Sequence, residues 1–79
     1  MSKQSALGEK LRAARRAHFP DDTLTDFALR IGVSRATLQR MEKGDLSVSL
    51  GKYYEAACVL QLTDGFDALF ERSRSLFDD

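Results

Sequence analysis

The chain has 79 residues, 43% of them hydrophobic and 30% charged, which gives room for one domain with a thin core. Its single proline excludes a linker or low-complexity chain, and Cys58 as the only cysteine excludes an internal disulfide or a cysteine-cluster metal site. Formal net charge is zero, but residues 1–44 hold nine Lys/Arg against five acids, whereas residues 45–79 hold three against seven, so a basic half is joined to an acidic half.

The pattern predicts an all-α chain of five helices, because no β-branched or aromatic run alternates with polar residues long enough to suggest a strand. The first helix is expected over 5–18, with Leu7, Leu11 and Ala14 as its apolar stripe and Lys10, Arg12 and Arg16 off it. It ends before Pro20, since a residue preceding proline avoids the helical region. The second helix starts at Thr23, where Thr23 and Asp26 form a capping box, and stops at Gly32. Ser34 caps a third helix with Leu38 and Met41 on its apolar side and Gly44 at its end. A fourth is expected over 50–60, capped by Ser49, with Leu50, Tyr54, Ala57 and Cys58 facing inward. Cys58, in the apolar run 56–60, reads as a small buried hydrophobe. The fifth covers 64–70, with an extension toward Leu76, and Asp78 and Asp79 fray.

No stretch approaches a membrane span, and the N-terminus lacks a signal-peptide core, so the expected location is the cytoplasm. His18 stands without a second ligand and fits the end of the first helix, where positive charge suits the macrodipole. It has no Ser or Cys partner for catalysis, no glycine-rich phosphate loop exists, and the pair Asp21–Asp22 reads as turn and solubility residues. The expectation is therefore a non-enzyme without cofactor or metal.

Residues 23–44 carry the functional signal: a short capped helix, a tight turn at 32–34 and a second short helix. A major groove roughly 12 Å wide admits one such helix, whose side chains then meet base edges. Gly32 permits the reversal, Ala28 is small where the helices cross, and Ile31, Val33 and Leu38 lock them together. With Ala28, Gly32, Val33, Ser34, Leu38, Glu42 and Gly44 at these spacings, residues 27–44 resemble the Cro/cI (Xre) family of helix-turn-helix repressors, and the likeness extends over about 7–60. It implies a five-helix, lambda-repressor-like DNA-binding domain, here 1–79 as a single domain, with the helix-turn-helix at 23–44 and a dimer region at 50–77.

By this resemblance Arg35, Ala36 and Arg40 face base edges, with Gln39 one residue round the helix. Ser34, Thr37 and Lys43 meet phosphates, which position without reading sequence. The chemistry agrees, because arginine can donate two hydrogen bonds to guanine and alanine can touch a thymine methyl. Outside the pattern, Arg35 and Arg40 would read as solvated charges, and the basic face of the first helix still does. Arg15 and Glu42 resemble the family's internal ion pair. Two features depart from the family. Leu24 stands where glutamine often contacts a phosphate, and the connection 16–22 is longer than usual; both leave a phosphate contact from the second helix open.

The run 44–62, with Leu46, Ser47, Val48, Ser49, Leu50 and Gly51, resembles a narrower subgroup, the HipB-like antitoxins, which repress their own operons and bind a HipA-like kinase toxin. The partners implied are double-stranded DNA with a palindromic operator, a second copy of the chain, and such a toxin. Phe66, Leu69, Phe70 and Leu76, with Phe77, are more apolar surface than so small a domain hides alone and are the expected homodimer element. A phage-type autorepressor without a toxin is the alternative, and a helical adaptor that has lost DNA binding is a second, suggested by zero net charge and Leu24.

Overall fold

The computed structural model describes residues 3–70, with side chains from residue 6. Five helices follow in order: α1 Lys3–His18, α2 Leu24–Ile31, α3 Arg35–Glu42, α4 Leu50–Val59 and α5 Thr63–Asp67. No strand occurs among the described residues. α3 packs against α1 and α2, α2 also packs against α4, and α5 packs against α4.

Local chemistry sets the borders of α2 and α3. The Thr23 hydroxyl accepts the Asp26 N–H at 3.1 Å while the Thr23 N–H donates to the Asp26 carboxylate at 3.0 Å, so two orphan donors are satisfied reciprocally. Gly32 takes the left-handed conformation at φ +73°, where a side chain would be strained, and the Val33 N–H then reaches back to the Ala28 carbonyl at 3.0 Å. Two residues later the Ser34 hydroxyl accepts the Thr37 N–H at 3.0 Å and opens α3.

Phe27, Leu38 and Met41 are fully buried, and Leu11, Ala28, Ile31, Val48, Tyr53, Ala56 and Leu60 complete the core. Each large side chain removed from water contributes roughly 1.5–3 kcal/mol. Phe19 lies against the core with its ring 5.9 Å from that of Phe27.

Three expectations are corrected. In α1, Leu7 is exposed, and the inward face is Gly8, Leu11 and Arg15, with Ala14 half-buried. The cause is a close backbone approach. Any Cβ at Gly8 would overlap the Glu42 carbonyl and lie 2.6 Å from the Gly44 nitrogen, so α1 turns this residue toward α3. In α4, Leu50, Tyr54 and Cys58 are exposed and Ala57 is half-buried, while Tyr53 and Ala56 point inward. Both stripes have helical spacing. Tyr53 wins because its hydroxyl donates to the Asp45 carbonyl at 2.7 Å as its ring joins the core. The third correction is that α5 ends at Asp67, with 68–70 in turns, and buries no residue. Gly65 lowers its propensity, and five residues give few helical bonds to offset nucleation. Leu76, Phe77, Asp78 and Asp79 lie outside the described residues.

Candidate nucleic-acid interface

One side of α3 is built into the protein and the other is bare. Leu38 and Met41 anchor it to the core, and Arg35, Ala36, Gln39 and Arg40 are all exposed. The structure therefore brings the four residues assigned to base contacts onto one accessible surface. Ser34 and Lys43, at the two ends of the helix, are also exposed, and Thr37 is half-buried. The Ser34 hydroxyl donates to Thr37 Oγ1 at 3.0 Å as well as capping the helix.

Behind this surface Arg15 and Glu42 meet. Arg15 Nε donates to Glu42 Oε2 at 2.6 Å and Nη2 to Oε1 at 3.2 Å, a bidentate pair whose side chains are only 8% and 10% exposed. It fixes the last turn of α3 to the last turn of α1. Desolvating two charges is costly, so such a pair gives orientation more than net stability.

A groove of about 630 Å³ runs between the C-terminal part of α1, the start of α2 and the last turn of α3. Arg12, Arg16 and Lys43 line it together with Gln39 and Leu24. Leu24 is half-buried and brings no hydrogen-bonding side chain there. The basic face of α1 and the end of α3 thus share one concavity.

Two ion pairs were not legible beforehand. Asp22, expected only to shape a turn, accepts Arg30 Nε at 2.6 Å and Nη2 at 3.1 Å, and the Arg30 guanidinium lies 4.0 Å over the Phe19 ring. The Arg30 hydrogen bond holds the Asp22 carboxyl below its usual range, and Asp22 in turn raises Arg30. The second involves Arg40, whose Nε donates to Asp45 Oδ2 at 3.0 Å and whose Nη2 donates to Ser47 Oγ at 2.8 Å. Asp45 is lowered to about 2, chiefly by the hydrogen bonds from the Ser47 hydroxyl and N–H and then by Arg40. The only sequence signal was an acid shortly after a helix-ending glycine, which is common in loops.

A buried-backed, bare-faced second helix after a glycine turn defines a helix-turn-helix protein. The helix-turn-helix family model matches residues 21–65, and the chain belongs to this family, of the Cro/cI type, whose members are DNA-binding transcription regulators. Among curated proteins and among solved structures no match to the chain is found. Among the described residues no helix is long and apolar enough to cross a membrane, and no group of His, Cys, Asp and Glu could hold a metal ion.

Proposed function

We propose that this protein is a sequence-specific transcriptional repressor that binds a palindromic operator as a homodimer, with residues 1–79 forming a single domain. The observation that carries this reading is the row Arg35, Ala36, Gln39 and Arg40 on the bare side of a helix held rigidly from behind. In this reading Arg35 and Arg40 meet base edges, Ala36 and Gln39 complete the row, and Ser34, Thr37 and Lys43 meet phosphates. Arg12 and Arg16 add positive charge along the groove beside Lys43. Leu24 brings no hydrogen-bonding side chain at the start of α2, which leaves a phosphate contact from that helix open.

One recognition helix reads few base pairs, whereas two related by a dyad, about 34 Å apart, read a palindrome. The dimer face in this reading is the open groove lined by Leu50, Phe66, Leu69 and Phe70, with Asp64 and Asp67 also lining it. Leu69→Asp combined with Phe70→Asp is expected to give a monomer at micromolar concentration by sedimentation; a dimer that survives would move the interface elsewhere.

A finer reading makes the protein an autoregulatory, HipB-like antitoxin whose acidic half holds a HipA-like kinase toxin. Its support is the resemblance over 44–62 and the seven acids of residues 45–79. A neighbouring kinase-like gene supports it, and a lone gene favours an autorepressor without a toxin.

The test is an anisotropy titration against the DNA upstream of the protein's own gene at two salt concentrations. Tight binding that weakens steeply with salt and disappears in Arg35→Ala and Arg40→Ala is the expected result. Wild-type protein that binds no DNA would shift the weight to a helical adaptor.

A further inference from the structure

We propose that Asp45 is a positioning residue that holds Arg40 by one edge and thereby sets a preference for guanine at the base Arg40 meets. The inference rests on the DNA-binding reading of α3. Arginine has five N–H donors in a planar fork. Here Nε and Nη2, which form the side-on edge, are engaged by Asp45 at 3.0 Å and Ser47 at 2.8 Å. The end-on edge, Nη1 with the second hydrogen of Nη2, has no partner among the described residues, and the side chain is 52% exposed. Two parallel donors on one edge match guanine O6 and N7, and no other base offers two acceptors there.

Asp45 is itself immobilised. Its N–H donates to the Arg40 carbonyl at 3.1 Å, and its carbonyl accepts the Tyr53 hydroxyl at 2.7 Å. Oδ1 accepts the Ser47 N–H at 2.8 Å and the Ser47 hydroxyl at 2.6 Å, leaving Oδ2 for Arg40. Every polar atom of the residue is engaged, and Tyr53 ties it to the core. A free arginine on a helix surface samples many rotamers, and one held by a fixed carboxylate loses less entropy on forming a two-bond contact. The carboxylate also discourages contact of this segment with phosphates, so it disfavours non-specific binding. Sequestration of Arg40 away from DNA is the competing interpretation. It would occupy the end-on edge, which is open.

Asp45→Asn separates the roles. The amide oxygen can still accept from Ser47, but the NH2 group that replaces Oδ2 cannot accept from Arg40. Wild type, Asp45→Asn and Arg40→Ala would each be taken through selection from a randomised duplex library, with thermal melting as the control for folding. Wild type is expected to enrich a site with guanine at one position per half-site, by roughly tenfold or more over other bases, the range of one good bidentate contact. Arg40→Ala should erase that preference. Asp45→Asn should weaken it several-fold at the same position, leave other positions intact, and bind random-sequence duplex as well as wild type or better. A merely structural role would lower affinity at all positions together with the melting temperature. Asp45→Asn that keeps full guanine preference, or that binds the enriched site more tightly with its preference unchanged, overturns the inference alone. A wild-type protein that enriches no duplex overturns the DNA-binding reading and this inference with it.

Discussion

Residues 24–42 bury Phe27, Ala28, Ile31, Leu38 and Met41, cap both of their helices with side-chain hydrogen bonds and lie on the basic side of the chain's charge division. Residues 63–70, made of α5 and the turns after it, bury no residue, have no side-chain cap and leave Leu69 and Phe70 51% and 86% exposed. The first region buries most of its large apolar groups, with Leu29 left exposed, and presents a polar face. The second packs only Phe66 partly against the core, with its ring 5.2 Å from that of Tyr54, and leaves Leu69 and Phe70 to solvent. The two regions thus expose different chemistry, hydrogen-bonding groups and charge on one and apolar side chains on the other.

The sharpest way to break this comparison is to remove a phenylalanine from each region. Phe27→Ala is expected to cost about 4 kcal/mol in urea unfolding. Phe70→Ala should leave dilute protein within about 0.5 kcal/mol of wild type, as exposed substitutions do. Its effect should grow with protein concentration if the apolar face associates. Equal losses for the two in dilute protein would show that the turn carrying Phe70 belongs to the core.

Glu42→Ala comes next, at about 3 kcal/mol, because it strands the buried Arg15 guanidinium. The double change Arg15→Met with Glu42→Leu should recover most of that loss in the same measurement, since both desolvation penalties vanish. Failure to recover would mean that the pair stabilises the fold and does not merely orient it. Gly8→Ala should cost about 2 kcal/mol by forcing α1 away from the end of α3.

Much of the helix-turn-helix was legible because its signals are local. Thr23 with Asp26, Gly32 and Ser34 act within a few residues of themselves, and the helix borders they mark are those observed. The burial of Phe27, Ala28, Ile31, Leu38 and Met41 follows from one unambiguous apolar stripe per helix. α4 was misread because Leu50–Tyr54–Cys58 and Tyr53–Ala56 are both apolar at helical spacing, and periodicity cannot rank two stripes. A hydrogen bond to the loop at Asp45 decides between them. Gly8 was invisible for a related reason: a glycine near a helix start gives no sign of the backbone it will touch. Arg35, Ala36, Gln39 and Arg40 are singled out by the family resemblance, and their exposure agrees with their register against Leu38 and Met41. The clasp on Arg40 was not legible, because it depends on a turn that brings Asp45 and Ser47 back over the helix.

The smallest expected effect probes that clasp through pH. The Asp45 carboxyl is lowered from 3.8 to about 2 in the folded protein. A group depressed by folding contributes stability that is fully present above its unfolded value and is lost as pH falls through its folded one. Stability should therefore decline between those two values, and Asp45→Asn should flatten this part of the profile. The group is solvent-exposed, so the change is small.

The absence of a side chain at Gly8 also bears on motion. Roughly two helical turns separate it from Arg15, so α1 is joined to α3 at one point by backbone against backbone and at another by a buried ion pair. Neither helix can slide along the other without driving atoms together at the first point or parting charges out of water at the second. The two should open in a single event, and their most protected amides should exchange with solvent hydrogen at one common rate. α5 has no buried side chain to share in that event, and its amides should exchange faster and on their own.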